Sequence, residues 1–210
     1  MSRYVGPVCK LCRREGLKLF LKGSRCLKKD KCSFEERKTP PGQPPKRRPK
    51  LTDYAIQLRE KQKVKRVYGV RERQFRRYYE KAARMKGITG ENLLQLLERR
   101  LDNTLYRMGL ASSRAQARNF IAHRHVLLNG HKANIASQLV NPGDVISMHD
   151  KFKKSPVLEE NVKLAQGAGS VPEWVEVEHD KLSGSVRSYP GREAVDIPIK
   201  EQIIVELYSK

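Results

Sequence analysis

The residues with most scope for chemistry are four cysteines near the N-terminus. Cys9 and Cys12 form a C-x2-C pair; after thirteen intervening residues, Cys26 opens a C-x5-C pair that closes with Cys32. A tetrahedral thiolate site needs two short chelating loops joined by a longer one, and this spacing supplies them. It predicts a structural Zn2+ tetrathiolate on Cys9, Cys12, Cys26 and Cys32. The second loop is wider than the common zinc spacing, and the same donors suit an iron–sulfur cluster, the lesser alternative, or four free thiols. Lys10, Arg13, Arg14 and Lys31 flank the cysteines and are expected to lower the thiol pKa values and offset the charge of the centre. There is no neighbouring H-x-E pair of the kind hydrolytic or deaminase chemistry uses.

A second candidate is "SSRAQARNFIAHRHVLLNGH", residues 112–131, which holds three of the chain's five histidines. His123 and His125 flank a helix end, where a cation suits the terminal carbonyls, and His131 lies beyond a hairpin turn. They are read as bystanders, not as converging ligands. Arg114 and Arg118, one helical turn apart, are expected on an exposed face beside a tight hairpin, a shape for holding folded RNA.

The elements that position these residues follow from charge and punctuation. The chain has 210 residues and a formal charge of +21, a self-repulsion that a polyanion relieves, so nucleic acid is the expected partner. The charge is uneven: net +20 over residues 1–87, +5 over 88–155 and −4 over 156–210. No apolar run is long enough to span a membrane and the N-terminus lacks a signal-peptide core, so a cytoplasmic protein with reduced thiols is expected.

Five segments are predicted: a tetracysteine metal-binding arm over 1–38, a Pro-rich basic linker over 39–50, a basic helical domain over 51–90, a small RNA-binding module over 91–155, and an acidic tail over 156–210. In the helical domain Thr52 and Asp53 start one helix that stops at Gly69, and a second runs from about Arg71 to Gly87. Their polar faces carry Arg59, Lys61, Lys63, Lys65, Arg66, Arg71, Arg73, Arg76 and Arg77. Like charges at i,i+3 and i,i+4 repel, so this face asks for phosphates. A third helix runs from Thr89 to Met108. Ser113 and Gln116 form a capping box, "VLLNGHKA" folds as a hairpin about Asn129-Gly130, and "VISM" is a further strand. The tail gives a helix near 157–166, an alternating strand "EWVEVEHD" and a terminal strand "IIVELYSK". The fold class is α+β with antiparallel strands. The tail, with Trp174, is the expected protein–protein face because its charge is wrong for phosphate.

The motifs "RYVGP", "RREGLKLFLK", "LREKQKVKRVYGVRERQFRRYYEKA", "LLERRLDNTLYRMGLASSRAQAR", "VLLNGHKANIAS" and "IIVELYSK" resemble the bacterial small-subunit ribosomal protein S four family over nearly the whole chain. The cysteines place the resemblance in its metal-binding branch, and the family's usual PGQHG reads PGQPP at 41–45. The resemblance implies a structural constituent of the small subunit that is not an enzyme and is a primary binder of 16S rRNA. It implies nucleation of 5′-domain assembly, contact with ribosomal protein S five, a role in translational fidelity and repression of its own mRNA. It also implies a place at the mRNA entry channel, assigned to Arg47, Arg48 and Lys50. The rRNA contacts assigned are Arg3, Lys10, Arg13, Arg14, Arg114, Arg118 and the nine basic residues of the two helices. An RNA-modifying enzyme with the same module is the alternative, but it needs a catalytic domain for which the remaining segments leave little chain. A zinc-dependent DNA-binding regulator is the third reading.

Overall fold

The computed structural model describes residues 4–43, 50–168 and 171–209. Arg3, Arg47, Arg48 and the prolines of the linker core lie outside these residues. The chain divides into two compact units, residues 94–196 and residues 1–93 with 197–210. This differs from the five expected segments because the tail is shared between the units.

The first unit opens with three short helices, α1 (Cys9–Glu15), α2 (Ser24–Leu27) and α3 (Ser33–Glu36). Two longer helices follow, α4 (Asp53–Val67) and α5 (Glu72–Ala83). Thr52 caps α4 by accepting the Ala55 N–H at 3.3 Å, as its position before the apolar stripe predicts. Val64, Val67, Phe75, Tyr78 and Ala82 are buried, so the helical stripes are core. The last eight-residue element, α11 (Glu201–Tyr208), belongs here. It is a helix where a strand was expected. Periodicity alone cannot separate the two for a short apolar run; α4 offers α11 a surface, with Gln57 donating to Glu206 at 3.1 Å and Lys63 to the Pro198 carbonyl at 3.3 Å.

The second unit carries the module. The helix expected over 89–108 is two: α6 (Thr89–Glu98), whose last turns fall in this unit, and α7 (Leu101–Arg107). At the break Arg100 is extended and bridges Leu139, while the Val140 N–H donates to Arg99 and the Leu101 N–H to Gln138. Pairing with the 138–140 segment thus outcompetes helix continuation. Gly109, at φ +74°, ends α7; a Cβ there would stand 2.4 Å from Ala165.

Next come α8 (Arg114–Ala122), β1 (Val126–Leu128), β2 (His131–Lys132), β3 (Val145–Met148), α9 (Asp150–Lys153), α10 (Pro156–Ala168), β4 (Val175–Glu178) and β5 (Ser183–Val186). The antiparallel sheet has the order β2-β1-β3-β5-β4. Two of its five strands thus come from the segment expected to be a separate tail. Trp174, expected on a protein-facing surface, is 4% exposed and packs in the core with Leu105, Met108 and Ile146. Burial of so large an apolar side chain decides that outcome.

Candidate nucleic-acid interface and tetracysteine arm

Of the nine basic residues expected to face phosphate from α4 and α5, five are held by carboxylates of the protein. Arg59 and Arg66 both bind Glu15 of α1, Arg59 at 3.2 Å, and the Glu15 side chain is only 1% exposed. Burial pushes the Glu15 carboxyl up, against the pull of Arg66 and Arg59. Lys61 and Lys65 share Glu72 at 2.7 and 2.9 Å, and Lys63 binds Glu60 at 2.5 Å. The like-charge repulsion read from the sequence is therefore largely neutralised from within: Glu60 is one turn from Lys63 on α4, but Glu15 and Glu72 reach α4 from other helices, which spacing along one helix does not reveal. Tyr208 of α11 joins this cluster: its hydroxyl donates to Glu72 at 2.8 Å and its ring stacks on Tyr79 at 4.7 Å.

The other four, Arg71, Arg73, Arg76 and Arg77, are exposed at the start and along the outer side of α5. Arg76 has Glu80 at 3.3 Å, an exposed pair of little energetic weight. This arginine row, with Lys81 and Arg84 exposed beyond it, is a cationic surface of the first unit. Lys10 and Arg14 of α1 are exposed too, as is Lys50.

Arg13 is committed differently: its guanidinium donates to the Thr39 carbonyl at 2.8 Å and to Pro40 at 3.3 Å, tying α1 to the start of the linker. Sequence reading missed this because both acceptors are backbone carbonyls.

In the second unit the expectation for Arg114 and Arg118 is corrected. Arg114 is 8% exposed, donates to Asn103 at 2.7 Å and lies 4.5 Å over the Tyr106 ring. Arg118 donates to Asp102 at 2.5 Å, and Asp102 also takes two bonds from buried Arg100 at 3.0 and 2.9 Å. The α8 face that carries both arginines packs on α7, whose Asp102 carboxylate and Asn103 amide are buried there. A second cluster joins Glu98, fully buried, to Arg107 at 3.0 and 3.1 Å and to Asn103 at 2.7 Å. The N-cap half of the capping box forms, with Ser113 Oγ accepting from the Gln116 N–H at 3.2 Å, while Gln116 Oε1 reaches one residue further back and accepts from the Ser112 N–H at 2.6 Å.

The four cysteines are unbridged; Cys12, Cys26 and Cys32 are buried and Cys9 is half-buried. Among the described residues no three His, Cys, Asp or Glu side chains stand together as metal ligands. The thiols nonetheless share one neighbourhood. Burial pushes Cys12 and Cys26 up, and the charges of the other cysteines push in the same direction. The expected lowering by flanking cations is corrected: burial dominates, and Arg13 points to the linker. The Lys22 N–H donates to Cys26 Sγ at 3.3 Å, a backbone bond of the kind that favours a thiolate. Four soft donors, three buried and one half-buried, have the chemistry that suits a cation whose charge would deprotonate them.

The histidine neighbourhood gains a member the sequence did not suggest. His123 and His125 stack at 5.9 Å, and His125 stacks on Phe152 at 4.1 Å within 4° of parallel. His131 stays apart on exposed β2, while the His149 N–H donates to the His125 carbonyl at 2.8 Å.

Comparison with known proteins adds the family. Residues 3–98 match the model described as ribosomal protein S4/S9 N-terminal domain, and residues 99–146 match the S4 domain. The chain is 62% identical to small ribosomal subunit protein uS4 of Leptospira biflexa serovar Patoc over 210 residues, all of both chains. It is 56% identical to the protein of that name from Thermoanaerobacter sp. (strain X514) and 52% identical to that of Geobacter sulfurreducens, again over all of both chains.

Proposed function

The chain belongs to the small ribosomal subunit protein uS4 family, and from that premise we propose how it binds. As a member it is a structural protein of the ribosome, not an enzyme, and binds rRNA as part of the small subunit. The finer reading is that it is a primary binder of 16S rRNA that nucleates 5′-domain assembly, with the arginine row of α5 as its main phosphate contact. The observation carrying this is that Arg71, Arg73, Arg76 and Arg77 stay on the surface while Arg59, Lys61, Lys63, Lys65 and Arg66 are held by carboxylates. Folded RNA is read largely through shape and phosphate–sugar contacts, which suits a rigid helix bearing a row of guanidiniums. Lys10 and Arg14 extend the cationic surface.

Filter binding of a 16S rRNA transcript across a salt series tests this. If about 6–10 phosphates are engaged, affinity falls by roughly 10³–10⁵ between 50 and 200 mM salt. Changing the four arginines to glutamine flattens the log–log slope by about one per phosphate lost. A flat salt response in the wild type, or an unchanged slope in the variant, refutes it.

By resemblance, Lys50 and the linker arginines contribute to the mRNA entry channel, and the protein shares in translational fidelity and represses its own mRNA. Exposed Glu176 and Glu178 on edge strand β4 offer an acidic face to ribosomal protein S five. Cys9, Cys12, Cys26 and Cys32 would hold a structural zinc ion. Bound there, zinc supplies a charge-compensated crosslink among α1, α2 and the segment before α3. Metal analysis of the purified protein checks it; absence of stoichiometric zinc sinks the assignment, and iron in its place favours a cluster.

A further inference from the structure

At the end of α8 a column of rings leads from the core to the surface. Phe120, 8% exposed, meets Phe152 edge-on at 4.9 Å; Phe152 stacks on His125 at 4.1 Å, and His125 faces His123 at 5.9 Å. His123 is exposed, so the outermost ring has protein on one side and solvent on the other. Burial, then the neighbouring charges of His123 and His149, pushes the His125 imidazole below its ordinary value. Asp150 on α9 pairs with Lys153 at 2.8 Å.

Between the two histidines stands Arg124, with φ +59°. Its N–H donates to the Ile121 carbonyl at 2.9 Å, the position just past a helix end where the left-handed conformation makes glycine the preferred residue. Arginine there is strained, and its side chain is exposed with no ion-pair partner among the described residues. A locally disfavoured residue that earns no internal contact is most simply retained for its side chain's external use.

We infer that the end of α8 is a nucleotide site: an unpaired base of ribosomal RNA stacks on the outer face of His123, and Arg124 takes that nucleotide's phosphate. Splayed bases stack on histidine and arginine planes in RNA recognition, whereas duplex phosphate alone would need no rings. The site rests on the rRNA-binding reading but is independent of the α5 row, which lies in the other unit.

The test is filter binding of full-length chain to a 16S rRNA transcript, with wild type, H123A, H123F and R124G, alongside thermal melts. H123A weakens binding roughly tenfold or more, the scale of a lost base–aromatic stack. H123F, which restores a flat ring without charge, retains near-wild-type affinity. R124G weakens binding and lowers the salt slope by about one, yet melts no lower than wild type because glycine suits the backbone. Wild-type affinity in H123A and R124G overturns the site while leaving rRNA binding intact. H123F as weak as H123A overturns the stacking role. A wild type that fails to bind the transcript sinks both the site and the reading beneath it.

Discussion

Replacing Glu98 with alanine removes a fully buried carboxylate that accepts from Arg107 at 3.0 and 3.1 Å and from Asn103 at 2.7 Å. Arg107, itself 9% exposed, keeps the Ala194 carbonyl at 3.1 Å and the carboxylate of Asp196. The Asp196 side chain is 70% exposed, so that partner is screened by water and cannot replace the buried one. Stranding one member of a buried pair costs about 3–5 kcal/mol. At about 2–4 °C per kcal/mol for a chain of this size, the melting midpoint drops by roughly 6–20 °C. The paired change E98L/R107M swaps both charges for apolar side chains of similar volume and recovers most of that loss. Urea and thermal unfolding of the three proteins measure it. If E98A costs less than about 1 kcal/mol, the range of an exposed pair, or if E98L/R107M is no better than E98A, the cluster is not an uncompensated-charge problem and the reasoning fails.

Four other outcomes follow from particular contacts. Burial alone would raise Glu72, but the bonds from Lys61, Lys65 and Tyr208 bring it from 4.5 down to about 2. A depressed carboxylate stabilises above its unfolded pKa, so acid titration of unfolding loses this contribution as pH falls from 4.5 to about 2, and E72Q flattens that limb; the half-exposed side chain keeps the effect small. Glu15→Ala deprives Arg59 and Arg66 of their shared carboxylate and loosens α1 from α4, read as faster amide exchange over residues 9–15 with residues 94–196 unchanged. Gly184→Ala places a Cβ 2.6 Å from the Glu176 carbonyl oxygen and 3.2 Å from Met108, and overpacking of that kind lowers stability by about 1–3 kcal/mol, seen in a urea titration. Glu176→Ala breaks an exposed pair with Arg187 and leaves the melting midpoint unchanged.

Local signals carried much of the secondary structure. The Thr52 and Ser113 caps, the Asn129-Gly130 hairpin and the buried stripes of α4 and α5 depend on residues a few positions apart, and those interactions survive in the folded chain. Where an element was misread, a distant partner decided it. Arg100 pairs with Leu139, and the "IIVELY" of the terminal segment is helical against α4.

The candidate site divides along the same line. Composition by itself determined that this is a cationic protein made for a polyanion, and the sequence shows that all four cysteines lie between residues 9 and 32. Only the tertiary structure decided which cations remain for RNA. Glu15, Glu72 and Asp102 come from elsewhere in the chain to hold Arg59, Arg66, Lys61, Lys65 and Arg118, while Arg71, Arg73, Arg76 and Arg77 keep their exposure. The physical reason is that charge is counted along a chain but neutralised across space. A guanidinium that looks unpaired in sequence acquires its counter-ion only when folding brings a remote carboxylate within hydrogen-bonding reach.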